Sequence, residues 1–332
     1  MKKHIYIYSP SGAVRDKAAF RRGVKRLQAL GHEVEIDEAA LASQQRFAGD
    51  DATRLAAIAR AAASGADVAL TSRGGYGLTR ILPGIPYKQV ARAIERGTHF
   101  VGLSDFTAFQ LALLARNGAT TWAGPSLCEG FGVSEEADAA DGHGGTGGPD
   151  EIMLACFEDL LLGQGEGAGW RQPRTGAADL LAAGPWQARR LGEDAQIRIE
   201  DAPLWGGNLS VLCSLLGSPY FPAVQGGLLF LEDVAEHPYR IERMLTQLLH
   251  AGVLAQQKAI LLGQFTEYKR VPHDRGFGMP SVVSWLRRQL KVPVLTGLPF
   301  GHVPTKVLLP VGARCDLLVE GRDALLVWGH AH

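Results

Sequence analysis

Along the first 125 residues, short β-rich runs alternate with longer amphipathic stretches. The strand candidates are residues 4–8 (HIYIY), 33–36 (EVEI), 67–71 (DVALT), 99–103 (HFVGL) and 119–122. Between them, residues 15–30, 51–63, 87–96 and 106–116 carry helical periodicity. The first of these helices stops before Gly31, a residue suited to the left-handed position past a helix end. A strand followed by a helix and then another strand can close only as a parallel pair with a crossover, so repetition of this unit predicts a parallel sheet covered by helices on both faces. The helix over 106–116 has apolar residues on most of its faces.

The pattern breaks after residue 127. Residues 141–149 (DGHGGTGGP) read as a flexible loop, 150–162 as a helix, and 163–169 (GQGEGAG) as another loose connection. Beyond them strands dominate, with candidates at 186–190, 196–199, 228–231, 259–263, 293–297, 306–309 and 315–319. Helices are expected at 208–216, 238–250 and 280–290, with Asn208 as an N-cap and Pro238 in a first turn. The expected division is residues 1–127, a glycine-rich connecting region over 128–185, and a second α/β domain over 186–332.

Composition narrows the function. The 332 residues are 46% apolar and 20% charged, enough for two ordinary cores. Lys plus Arg equals Asp plus Glu at 34 each, so no strong basic field is available for nucleic acid. The four cysteines (128, 156, 213, 315) form no C-x-x-C pair, which argues for reduced, buried thiols. No apolar run approaches the ~18 residues of a membrane span and no signal sequence precedes the first strand, so a cytoplasmic protein is expected. Metal chemistry fits poorly: H-E-x-x-H is absent, and His330 and His332 lie at the very end.

Four stretches could carry chemistry. In Val101-Gly102-Leu103-Ser104-Asp105-Phe106 a strand runs directly into a helix with a serine at the junction. That placement lifts a hydroxyl above the sheet edge and aims following N–H groups at the same space. Simple N-capping by Ser104 is the alternative, and Phe106 departs from the G-x-S-x-G pattern. Arg73-Gly74-Gly75-Tyr76-Gly77 follows the third strand. Its glycines let a backbone approach a ligand or build an anion nest, or simply make a tight turn. Leu228–Leu231 ends in Glu232 and Asp233, and a carboxylate at a strand end can orient a histidine. Strand alternation allows only one of the two to face it. His302, in the Gly/Pro-framed turn after 293–297, is placed for general-base work.

Taken together these stretches resemble the serine LD-carboxypeptidase family, which comprises the murein tetrapeptide carboxypeptidases and the related microcin C immunity peptidases. The resembling residues are RGGYG at 73–77, GLSD at 102–105, Gly206-Gly207-Asn208-Leu209, LFLEDV at 229–234 with Pro238-Tyr239-Arg240-Ile241, and Leu298-Pro299-Phe300-Gly301-His302. The resemblance implies a flavodoxin-like N-terminal domain carrying a Ser104 nucleophile. It also implies a smaller C-terminal α/β domain carrying Glu232 and the base His302, with the active site in the cleft between the two. It implies no cofactor, a small peptide substrate, a homodimer and a role in peptidoglycan recycling. The Asp105 and Gly75 N–H groups are then expected as the oxyanion hole, and Arg73, Gly74 and Tyr76 as substrate contacts. The immunity-type alternative would need an aromatic platform, for which Trp170 and Trp186 are the candidates. A non-catalytic anion-binding module would keep its binding after Ser104→Ala.

Overall fold

The computed structural model describes residues 1–134, 148–174 and 196–329. Most of the expected 141–149 loop, the 186–190 strand, Trp186 and His330 and His332 lie outside the described residues.

The first sheet contains β1 (His4–Tyr8), β2 (Glu33–Ile36), β3 (Val68–Thr71), β4 (His99–Gly102) and β5 (Thr121–Ala123), all parallel, in the order β5-β4-β3-β1-β2. This is the flavodoxin-like order, with its switch point between β1 and β3. Strands β1 and β3 are buried along nearly their whole length, as their continuous apolar sequences require in a sheet covered on both faces. Helix α1 (Lys17–Ala29) starts where the Asp16 carboxylate accepts from the Ala18 and Ala19 N–H groups, and buries Phe20, Val24 and Leu27. Next come α2 (Asp51–Ala63), the single turn α3 (Leu78–Ile81) and α4 (Tyr87–Glu95), of which α2 and α4 match the expectation closely.

Helix α5 (Phe106–Asn117) is buried from Phe106 through Leu113. It packs against the first sheet and also against β7 (Gln196–Asn208) and the helix Leu209–Ser214. Contact on both sides is the reason its sequence is apolar nearly all round.

The second sheet has the order β10-β9-β8-β7-β12-β13-β6. Its parallel half comprises β7, β8 (Leu228–Val234), β9 (Ala259–Thr266) and β10 (Val294–Thr296). Its antiparallel half adds β12 (Arg314–Glu320), β13 (Asp323–Val327) and β6 (Gly167–Arg171). Two features depart from expectation. The stretch read as a loose connection contains the start of β6, whose Ala168 and Trp170 are buried while their neighbours face outward. Its glycine content reflects close approach, since a Cβ at Gly167 would lie 2.6 Å from the Leu326 carbonyl oxygen. The strand expected at 306–309 lies instead at β11 (Leu309–Val311) and pairs antiparallel with β5, in the first sheet. Pro310 is tolerated there because β11 is an edge strand.

Candidate active site

Ser104 follows β4 directly and adopts φ +67°, a conformation that non-glycine residues rarely take. Its side chain makes no cap bond to α5; Asp105 occupies the N-cap position. The capping alternative therefore gives way to a strained junction of the kind that exposes a nucleophile. Two glycines clear the space around it. A Cβ at Gly102 would lie 2.6 Å from the Phe106 ring, and one at Gly74 would lie 2.6 Å from Ser104 Cβ. The glycine turn thus approaches the serine itself.

Buried polar groups hold that turn. The Asp105 carboxylate accepts from the Ser11 hydroxyl and from the Leu78 N–H at 2.9 Å. Burial pushes the Asp105 pKa up against the pull of these bonds, and the net shift is upward. With both oxygens' surroundings enclosed in the fold, Asp105 serves as a strut. Arg54, fully buried, donates to the Gly77 carbonyl oxygen at 2.8 Å, and the Gly12 N–H donates to Gly74 O at 3.2 Å. The loops after β1, β3 and β4 therefore meet at the carboxyl edge beside the switch point, where open α/β sheets bind ligands. The Asp105 and Gly75 N–H groups make no hydrogen bond among the described residues.

The Glu232 carboxylate, fully buried on β8, accepts from His302 Nδ1 at 2.8 Å. An acceptor at Nδ1 fixes the neutral ring as the tautomer with a lone pair on Nε2. Burial pulls the His302 pKa down, but the hydrogen bond and charge of Glu232 outweigh it, with Glu129 and Asp233 adding to them, and the net shift is upward. Asp233 is directed elsewhere: its Oδ2 accepts from the Ser210 N–H at 2.9 Å and from the Ser210 hydroxyl at 2.6 Å. Simple alternation is nevertheless broken, because a register shift between Leu231 and Asp233 lets both carboxylates accept from Asn208 Nδ2, at 3.1 and 3.0 Å.

Asn208 connects the two halves. Its side-chain oxygen caps the helix Leu209–Ser214, and its backbone N–H donates to the Thr107 hydroxyl in the first turn of α5 at 3.0 Å. A polar path therefore runs from His302 through Glu232 and Asn208 to the helix that begins beside Ser104. The cap expected at Asn208 is present, and its wider role is signalled in the sequence by its place after two glycines in one of the resembling stretches. Those glycines have φ values of +137° and +128°. A Cβ at Gly206 would lie 1.9 Å from the Phe230 carbonyl oxygen, and one at Gly207 2.5 Å from the Thr107 hydroxyl.

The remaining expected residues are less central. Arg73 donates to the Ala13 carbonyl oxygen at 3.3 Å and lies 4.0 Å from Glu129. Tyr76 is half-exposed against the Phe47 ring, 5.9 Å between centroids. Trp170 is nearly buried and donates to the Thr296 carbonyl oxygen at 3.1 Å, so it anchors β6. Glu129 and Lys306 escaped notice because neither sits in a recognisable motif; Glu129 acts electrostatically on both His302 and Lys306. All four cysteines are free, and burial pushes the thiols of Cys128, Cys213 and Cys315 up to about 12, consistent with unreactive thiols.

Residues 5–124 match the family model described as LD-carboxypeptidase N-terminal domain, and residues 201–317 match that of the LD-carboxypeptidase C-terminal domain. A murein tetrapeptide carboxypeptidase of Pseudomonas aeruginosa is 32% identical over 252 residues, covering 74% of this chain and 70% of that one. The crystal structure of muramoyltetrapeptide carboxypeptidase from Oxalobacter formigenes is 34% identical, covers 97% of each chain and superposes with a TM-score of 0.79. The Microcin C7 self-immunity protein MccF of Escherichia coli is 23% identical over 271 residues, covering 76% of this chain and 72% of that one. A structure of MccF in complex with glutamyl sulfamoyl guanosine has a TM-score of 0.78 at 21% identity, covering 99% and 97%, a likeness of fold. With both halves matched in order and the whole length shared with a solved relative, the chain belongs to the LD-carboxypeptidase family.

Proposed function

We propose that the protein is a serine carboxypeptidase that hydrolyses the amide before the terminal D-Ala of murein tetrapeptides, with Ser104 as nucleophile, His302 as base and Glu232 as the group that orients it. The observation that carries this reading is the buried Glu232–His302 hydrogen bond at 2.8 Å, joined through Asn208 and Thr107 to the helix that follows a serine at φ +67°. In the acylation step His302 Nε2 takes the Ser104 proton as Oγ attacks the carbonyl carbon. The same proton then passes to the leaving nitrogen, releasing D-Ala and leaving an ester on Ser104. Water, deprotonated by His302, opens the ester and returns the serine.

The oxyanion would be held by the free N–H groups of Asp105 and Gly75, each such donor being worth about 3 kcal/mol in comparable enzymes. Arg73, Gly74 and Tyr76 would border the peptide. The names of the relatives support the substrate class. The proposed setting is recycling of cell-wall peptide in the cytoplasm by a homodimer. Among the described residues no helix is long and apolar enough to cross a membrane. The immunity-type alternative gains no aromatic platform from Trp170, which is committed to β6.

The test is D-Ala release from L-Ala-γ-D-Glu-meso-diaminopimelate-D-Ala by the wild type and by Ser104→Ala. Release by the wild type and a loss of about 10⁴-fold or more in the variant are expected. A folded wild type that releases no D-Ala would reject the murein reading, and aminoacyl-adenylate analogues would then be assayed with the same pair.

A further inference from the structure

Lys306 lies four residues past His302, in a segment closed by the Val307 N–H donating to the Pro299 carbonyl oxygen at 2.9 Å. Its neighbour Thr305 donates its hydroxyl to Asp150. The Lys306 side chain is enclosed, with 3% of the residue exposed. Yet its ammonium makes no hydrogen bond or ion pair with any described residue, and it is not among the sealed polar atoms, so it keeps an opening. Burying an ammonium without acceptors is costly, and lysine brings three donors to such a place. Burial accordingly pulls its pKa down, opposed by the charges of Glu129, Asp150 and Glu232.

Lys306 and His302 leave the same short segment, closed by the Val307–Pro299 bond, and two carboxylates, Glu129 and Glu232, act on both. Arg73, the other cation facing Glu129, is engaged: it donates to Ala13 O and stands 4.0 Å from Glu129. Glu232 in turn is committed to His302 and Asn208.

We propose that Lys306 is a specificity-determining residue whose ammonium receives the free carboxylate of the residue being released. This rests on the carboxypeptidase reading above. An enzyme that removes one terminal residue meets a carboxylate only about 3.8 Å of chain beyond the attacked amide, so its receptor must stand beside the triad. A largely buried, unpartnered ammonium is preorganised for that anion: much of its desolvation is already met in the free enzyme, and the substrate supplies the missing acceptor. An amide or a longer chain at the same place would leave the charge unanswered.

The experiment compares the tetrapeptide ending in D-Ala with the same peptide ending in D-alaninamide, using wild type, Lys306→Met and Lys306→Arg, with thermal melts of all three. The wild type should favour the free acid in kcat/KM by about 10- to 100-fold, the range of a charged hydrogen bond. Lys306→Met should abolish that preference through a rise in KM for the acid, with the amide little affected and the melting temperature unchanged or higher. Lys306→Arg should keep part of the preference. A wild type that cleaves acid and amide equally overturns the proposal whatever the variants do. So does a Lys306→Met enzyme that retains the preference, or one that loses both substrates alike. A wild type that cleaves neither peptide removes the carboxypeptidase reading itself, a failure distinct from these.

Discussion

In its proposed role as base, His302 works only when Nε2 is unprotonated. Its pKa is raised above the ordinary 6.5, so the acidic limb of kcat/KM should lie above about 6.5. Burial acts the other way, and Glu232 supplies the dominant opposing effect. Glu232→Gln should therefore move that limb to lower pH while reducing the rate by about 10⁴-fold, as loss of the orienting carboxylate does in comparable triads. A pH–rate profile of the variant whose acidic limb stays in place would contradict the assignment. The same shift has a stability consequence. A histidine whose pKa is raised on folding stabilises the fold fully below its unfolded pKa, near 6.5, and that contribution is lost as pH rises through the folded value. Urea denaturation across this window should show the decline in wild type and a smaller one in Glu232→Gln. Strand ends and loop frames made Ser104, His302 and the Glu232–Asp233 pair candidates, and it was the resemblance that selected Ser104, Glu232 and His302 among them. The dual bond of Asn208 to Glu232 and Asp233 could not be read there, because it depends on a register shift that no residue pattern announces.

The two glycines at the end of β7 show how an element's approach fixes the site. At Gly207 a side chain would meet Thr107 on α5, and the backbone has φ +128°. Gly207→Ala should cost about 2–3 kcal/mol, combining a positive-φ penalty with displacement of Thr107. It should also reduce kcat/KM at temperatures where the protein stays folded, because the Asn208–Thr107 bond at 3.0 Å registers the two halves. Thr107→Ala in the same chain should recover part of the stability by removing the clash, and strict additivity of the two changes would argue against contact as the cause. The strands and helices of the parallel sheet were readable because their periodicity and caps agree with their burial. Strand β6 was not, since four of the seven residues over 163–169 are glycines that look like loop, and its outward and inward alternation carries only Ala168 and Trp170 as apolar evidence.

Across the molecule, the two sheets are interleaved by the chain. After His302 the backbone returns to the first sheet as β11, covering the edge of β5 through pairs Leu309 with Ala123 and Val311 with Thr121. It then re-enters the second sheet as β12. This return could not be read from sequence, since a three-residue strand containing proline gives no sign of which edge it joins. Its consequence is mechanical: the segment that carries His302 and Lys306 is anchored at one end by β10 in the second sheet and at the other by β11 in the first. The proposed base is thereby tied to the sheet that leads into Ser104. A fragment of residues 1–134 would keep β1–β5 but expose the β5 edge together with the face of α5 that packs on β7 and the helix Leu209–Ser214. An uncovered edge beside an apolar helix face invites association between copies. The fragment should therefore self-associate and lack a cooperative melt, whereas the full chain should unfold cooperatively at the same concentration. Sedimentation and thermal melts followed by circular dichroism distinguish the cases. A monomeric fragment with a sharp transition would mean that the return strand and the second sheet are dispensable for the stability of the first.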